Sequence, residues 1–271
     1  MLDMVSPLPM TSPTDLASLV RAAIPRLYAF AYVMCGAREG AFVHVREAIR
    51  NVDVEALTGA ARPADWLLGR LARGIEDALG RKADHSFVIL DNLLRSDETQ
   101  PIDPGKSPID GDLSRVPVLL WELKRTCLAS VLGALPPGVR VSFVVTDLLG
   151  FPPAAAAELL GIKESAFRVR LTRARRRLED YLAPRCGHID RHNPCYCEGR
   201  LTLALETDFV KLPPHTADIP AAAYNDEPEH RDIAELYRTL PPVQLTPEET
   251  DALVAAALGD EAVAAPEELP K

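Results

Sequence analysis

Residues 151–182 read FPPAAAAELLGIKESAFRVRLTRARRRLEDYL. The run from Pro153 to Leu160 favours helix, and its four successive alanines leave room for a second helix to approach closely. Gly161 breaks it. Glycine takes the positive φ of a tight inter-helix turn without strain, and Ile162 plugs the angle between the two helices. From Ser165 onward, Phe167, Leu171, Ala174 and Leu178 recur at i, i+4, i+7 and i+11 as one apolar stripe. Arg168, Arg170, Arg173, Arg175, Arg176 and Arg177 take the other faces. The pattern predicts a helix-turn-helix with a cationic second helix.

From Lys163 to Arg177, seven cations stand against one anion, Glu164, in a protein of formal net charge −9. Clustered arginines on a groove-sized helix point to duplex DNA; a merely solvated helix would mix signs through i,i+4 carboxylates. In a helix entering the major groove, the N-terminal turns reach base edges while flanking charges hold phosphates. Glu164, Ser165, Arg168 and Thr172 are therefore the candidates for base readout, Arg168 being suited to a guanine edge. Arg170, Arg173, Arg175, Arg176 and Arg177 are the candidates for phosphate contact.

Upstream, Leu135-Pro136-Pro137 opens a helix, Phe143 to Leu149 is apolar, and Phe151 precedes the first motif helix. With Leu160-Gly161-Ile162 at the turn and Arg170-Leu171 and Arg173-Ala174-Arg175 after it, the segment resembles region 4 of bacterial sigma factors. The likeness is to the extracytoplasmic-function (ECF) type of the sigma-70 family. It implies a helix-turn-helix that reads a −35 promoter element, with core RNA polymerase as partner and room for an anti-sigma factor. No catalysis by the chain itself is implied.

Toward the N-terminus, residues 1–13 are rich in proline and serine and are expected to be disordered. Thr14 and Asp15 are candidate N-caps for a helix carrying Leu16, Leu19, Val20, Ala23, Leu27 and Ala31. Pro25 predicts a kink or a split there. Further helices are expected over 39–50 and from Pro63 to Arg81. RLYAFAYVMCG (26–36) and WLLGRLARGIEDALGRK (66–82), with Trp66 in the expected place, resemble region 2 of the same family. Where that family carries an Asp and a Gln in the helix that docks on polymerase, this chain has Val43 and Arg46, beside Phe42 and His44, and keeps Glu47. Residues 14–82 thus form a divergent region 2-like domain. The departure leaves open a second function, a sigma-derived DNA-binding regulator that no longer docks on polymerase.

Residues 83–116 mix Asp and Glu with proline and glycine and read as an acidic, flexible linker, with a local helix around 87–94. The region 4-like domain follows over 117–185. Its first helix, 118–133, carries Cys127 as small core filler, and its second runs from Val139 to Leu149.

Residues 186–200 hold Cys186, His188, His192, Cys195 and Cys197. Thiolates and imidazoles supply the tetrahedral set that zinc or another thiophilic metal prefers. Five donors for four places leave the ligands open, and the Cys-X-Cys spacing is not that of a standard finger. A reduced, unligated loop is the alternative, and no metal or other cofactor is required for the function above. No paired carboxylate or nucleophile is recognisable beside the loop, so a metal there is expected to be structural or regulatory and not catalytic.

Residues 201–271 form an acidic extension, with fifteen acids against four bases, so that residues 1–200 come out slightly positive. HRDIAELYRTL (230–240) and TPEETDALVAAALG (246–259) predict short helices, the latter with a Thr246/Glu249 capping box. The extension reads either as a solubilising tail or as one that folds back on the cationic helix. The sparse aromatics and the absence of alternating β-branched runs give an all-α fold of two helical domains plus an irregular extension. No segment has the length and freedom from charge of a membrane span, and the N-terminus lacks signal-peptide order. The expected setting is the cytoplasm, where five cysteines stay reduced.

Overall fold

The computed structural model describes residues 13–50, 52–94, 98–212, 232–241 and 243–259. Among them no extended strand forms, and twelve α-helices make the architecture. The expected disorder of residues 1–12 lies outside the described residues.

The first half holds α1 (Pro13–Cys35), α2 (Arg38–Ile49), α3 (Val54–Gly59) and α4 (Pro63–Leu79). α1 opens on Pro13, so Thr14 and Asp15 lie in its first turn instead of capping it. It also runs unbroken through Pro25. An interior proline costs about 3 kcal/mol; here Ile24, Leu27, Tyr28 and Ala31 carry the apolar stripe past it into the core, which offsets that cost. Leu16–Cys35 is long and apolar enough to cross a membrane, which corrects the expectation that no segment would be. It is the central helix of a bundle, packed by α2 and α4, and its Arg26 pairs with Asp65 at 2.8 Å. The short α3 was not legible in the sequence; the Asp53 carboxylate caps it by accepting from Ala56 N–H at 3.1 Å.

The second half holds α6 (Arg115–Gly133), α7 (Pro137–Phe143), a π-helical turn (Val144–Leu148), α8 (Pro153–Leu160) and α9 (Glu164–Leu182). The two halves pack face to face through one continuous core that includes Leu68 and Leu71 of α4 and Phe143, Phe167 and Leu178 of the second half. Their seam is close. A Cβ on Gly69 would stand 2.9 Å from the Leu159 carbonyl oxygen, and one on Gly138 would meet Glu76 Oε1 at 2.7 Å.

Arg140, 1 % exposed, crosses that seam. Its guanidinium donates to Met34 O at the end of α1, to Asp84 Oδ2 (2.9 Å), and to Gly133 O (3.0 Å) and Leu135 O (3.1 Å) of its own half. A charged group so buried needs its donors engaged, and four acceptors take its two terminal nitrogens while Nε stays unpaired.

The linker differs from a free tether. α5 (Phe87–Leu94) forms where a local helix was expected, and Leu90 and Ile109 are wholly buried. Ile109 joins Leu119, Leu123, Leu201 and Leu205 in a second small core. Arg115 donates to Pro108 O at 2.6 Å, and Gln100 N–H to Gly199 O at 3.0 Å. Composition alone misses this, because a few apolar residues set at turns are enough to anchor an acidic segment.

The extension also contributes to the core. α10 (Leu201–Glu206) lies on α6, α11 (Ile233–Arg238) on α9 and the π-helical turn, and α12 (Pro247–Ala257) across α1 and α2. The capping box forms as expected, with Glu249 N–H to Thr246 Oγ1 at 3.0 Å and Thr246 N–H to Glu249 Oε2 at 2.7 Å. Tyr237 is buried edge-on to Phe143 and donates its hydroxyl to Leu128 O at 2.9 Å. Residues 232–259 are therefore more than a solubilising tail.

Candidate nucleic-acid interface

The helix-turn-helix forms as the periodicity predicts. Phe167, Leu171, Ala174 and Leu178 are buried, and Gly161 ends α8 at φ +68° in the left-handed region. Its N–H bonds back to Glu158 O at 3.0 Å and that of Ile162 to Ala157 O at 3.0 Å, a closed turn that fixes the angle between α8 and α9.

The turns of α9 nearest its N-terminus present Glu164, Ser165, Arg168 and Thr172 to solvent. Arg168 is held toward Glu164 at 2.6 Å, and the Thr172 hydroxyl donates to Arg168 O at 3.0 Å. These four share the outward surface of the first three turns, and Val169 is exposed beside them. The helix N-terminus adds unpaired backbone N–H groups, which suit a phosphate.

The five arginines expected at phosphates divide. Arg176 is 82 % exposed, near Asp180 at 3.7 Å, and Arg177 is exposed. Arg173 lines a cleft of about 500 Å³ with Glu76, Asp77, Arg81 and Arg170. Arg170 itself is paired with Glu76 of α4 at 2.9 Å. Arg175 grips Asp147 with two bonds, Nε to Oδ2 at 2.9 Å and Nη2 to Oδ1 at 2.6 Å, and that hydrogen-bonded carboxylate holds its pKa above the usual arginine value. Arg170 and Arg175 thus brace α9 against its own protein.

Sequence reasoning missed the carboxylates that receive them. Asp147 sits on the π-helical turn, where Leu149 N–H reaches Val144 O at 3.0 Å and Phe151 N–H reaches Val145 O at 3.1 Å, and no local pattern announces such a widening. Arg238 of α11 donates to Asp147 O at 2.8 Å, so the extension supports the same turn. Among the described residues the extension meets α9 on this flank, around Asp147, Arg175 and Glu179, and leaves the Glu164–Thr172 surface open.

On α2, Val43 and Glu47 are exposed, Arg46 lies 3.8 Å from Glu47, and partial burial lowers the His44 pKa. α12 covers the adjoining flank of α1 and α2 through Arg38–Glu249 at 3.9 Å and Arg21–Asp251 at 2.5 Å.

The Cys/His loop folds against the end of α9. The backbones at Cys186 and Cys195, both free thiols, pair in an isolated parallel bridge, and the Asn193 amide closes the loop on Ala183 O (2.7 Å) and Cys186 O (2.9 Å). Cys197 Sγ lies 3.6 Å from His188 Nε2, and His188 is 2 % exposed. His192 points elsewhere; it is 81 % exposed, with Nδ1 at 2.9 Å from Asp190. The structure therefore pairs Cys197 with His188, sets Cys186 beside Cys195 and leaves His192 outside, and among the described residues no three His, Cys, Asp or Glu side chains stand so as to hold a metal ion.

A family model described as Sigma-70, region 4, matches residues 125–178, the segment from mid-α6 to Leu178 of α9. No curated protein matches the chain in sequence. Among solved structures, the extracytoplasmic function sigma factor SigJ of Mycobacterium tuberculosis is similar at 27% identity, over 64% of this chain and 55% of that one, with a TM-score of 0.38. The chain thus spans about half the length of that relative.

Proposed function

From a chain that carries region 4 of the sigma-70 family over residues 125–178, we propose a sigma factor of the ECF type, which directs core RNA polymerase to promoters and catalyses nothing itself. The observation that carries this is the outward surface of α9. Glu164, Ser165, Arg168 and Thr172 stand exposed over a buried stripe, bonded only within α9 where they are bonded at all, with Arg176 and Arg177 flanking them. Docked in the major groove of a −35 element, Arg168 exchanges Glu164 for a guanine edge, and the flanking arginines neutralise phosphates. The promoter and the polymerase are the partners, in the cytoplasm, where transcription takes place.

A second reading, a sigma-derived regulator that binds DNA without docking on polymerase, is favoured by α2. Its exposed surface carries Val43 where an acid is expected, and α12 occupies the adjoining flank. Binding of the full chain to core polymerase, with run-off transcription from its own upstream region, separates the two. A transcript supports the sigma factor; a duplex shift without polymerase binding moves the assignment to the regulator. Failure of both sinks the DNA-binding proposal altogether.

A further inference from the structure

One apolar side chain stands where the outward surface of α9 is otherwise polar. Val169 is 59 % exposed, and among the described residues it is the one large hydrophobic of that helix left in solvent. Each residue turns an α-helix by about 100°, so the positions two before and two after Val169 lie on the far side. Those positions are Phe167 and Leu171, both buried in the core. Val169 therefore points directly away from the protein, at the crest of α9, and the crest is what goes deepest into a groove.

Its surroundings set it apart from an ordinary exposed valine such as Val54 of α3. Ser165 lies one turn before it, Thr172 and Arg173 one turn after it, and Arg176 two turns after it, all exposed. Polar groups next to the crest are occupied within the helix, since Arg168 is paired with Glu164 and the Thr172 hydroxyl is bonded to Arg168 O. The crest is thus an apolar point edged by cations. Nothing in the fold rewards it. Valine is a poorer helix former than alanine, because its branched side chain loses χ1 freedom, and its exposed methyls gain no burial.

Duplex DNA offers such a surface one matching group. In the major groove the thymine methyl is the apolar feature among donors and acceptors, and phosphates line the rims. We infer that Val169 is a specificity-determining residue that packs against the methyl of a thymine. The inference rests on the DNA-binding reading above and adds to it a base that no hydrogen bond selects. Consecutive Cα atoms are about 3.8 Å apart and base steps about 3.4 Å, so this thymine falls within about two base pairs of the guanine that meets Arg168.

The test uses the full chain and a duplex that it selects from a random pool. Each thymine of that duplex is replaced in turn by deoxyuridine, which removes the methyl and leaves every hydrogen-bonding group. In the wild type, one replacement near the Arg168 guanine should weaken binding about 3- to 10-fold. Val169→Ala should bind the thymine and uracil duplexes alike, with urea denaturation showing no loss of stability, whereas Val54→Ala should discriminate as the wild type does. A selected duplex without such a thymine, a wild type indifferent to uracil, or an equal loss in Val169→Ala overturns the inference and leaves duplex binding intact. Selection of no duplex at all overturns it together with the reading on which it rests.

Discussion

Two adjoining surfaces of this molecule are built on arginine. On the outer face of α9, Arg168 and Arg176 take their carboxylates from one turn along the same helix, Glu164 and Asp180. At the seam between the halves and on the braced flank of α9, Arg140, Arg170 and Arg175 take theirs from elsewhere in the chain, Asp84, Glu76 and Asp147. An exposed i,i+4 pair contributes about 0.3–0.5 kcal/mol and dissolves readily in favour of a phosphate. Pairs that join separate elements are fixed by the packing around them. A count of positive charge does not distinguish the two kinds; the sequence separation and burial of the partner do.

The contrast can be broken most strongly at Arg140. Arg140→Leu should cost about 3 kcal/mol of stability, read by urea denaturation, because it strips a charge from four buried or half-buried acceptors. A loss below about 1 kcal/mol would place Arg140 with the surface arginines. On the outer face, Arg168→Ala should leave stability unchanged and cost about 1–3 kcal/mol on the preferred duplex, with relaxed sequence preference. Arg176→Ala should weaken all duplexes alike and lower the slope of log K against log salt by about 0.9. Equal effects from these two would mean that the faces of α9 are wrongly divided. The smallest change sharpens the contrast instead of breaking it. Glu76→Gln releases Arg170 from the seam, and salt-titrated binding should show a slope steeper by no more than about 0.9.

How far the sequence reached follows from the range of the interactions. The stripe from Phe167 to Leu178, the break at Gly161 and the Thr246 capping box depend on neighbours within a turn or two, and each was legible. Arg140 sits in the apolar run VRVSF, where an arginine reads as solvent-facing, and its acceptors Met34 and Asp84 are distant in sequence. Arg170 and Arg175 looked like phosphate contacts because Glu76 and Asp147 carry no local mark of their role. Tyr237 and Leu128 are 109 residues apart, so nothing near Tyr237 foretold that the acidic extension completes the core. In the Cys/His loop the donors were visible, but the burial of His188 and the exclusion of His192 depend on how the loop folds back on the end of α9.

The π-helical turn at Val144–Leu148 carries one residue more than an α-helical path would need. The wider turn takes that residue up within itself, with Leu149 N–H on Val144 O, before the chain leaves for α8 through Gly150. It also sets Asp147 where its carboxylate meets Arg175 of α9 and its carbonyl meets Arg238 of α11. One surplus residue thus works as a rivet, fastening the recognition helix and the acidic extension to the same point of the scaffold.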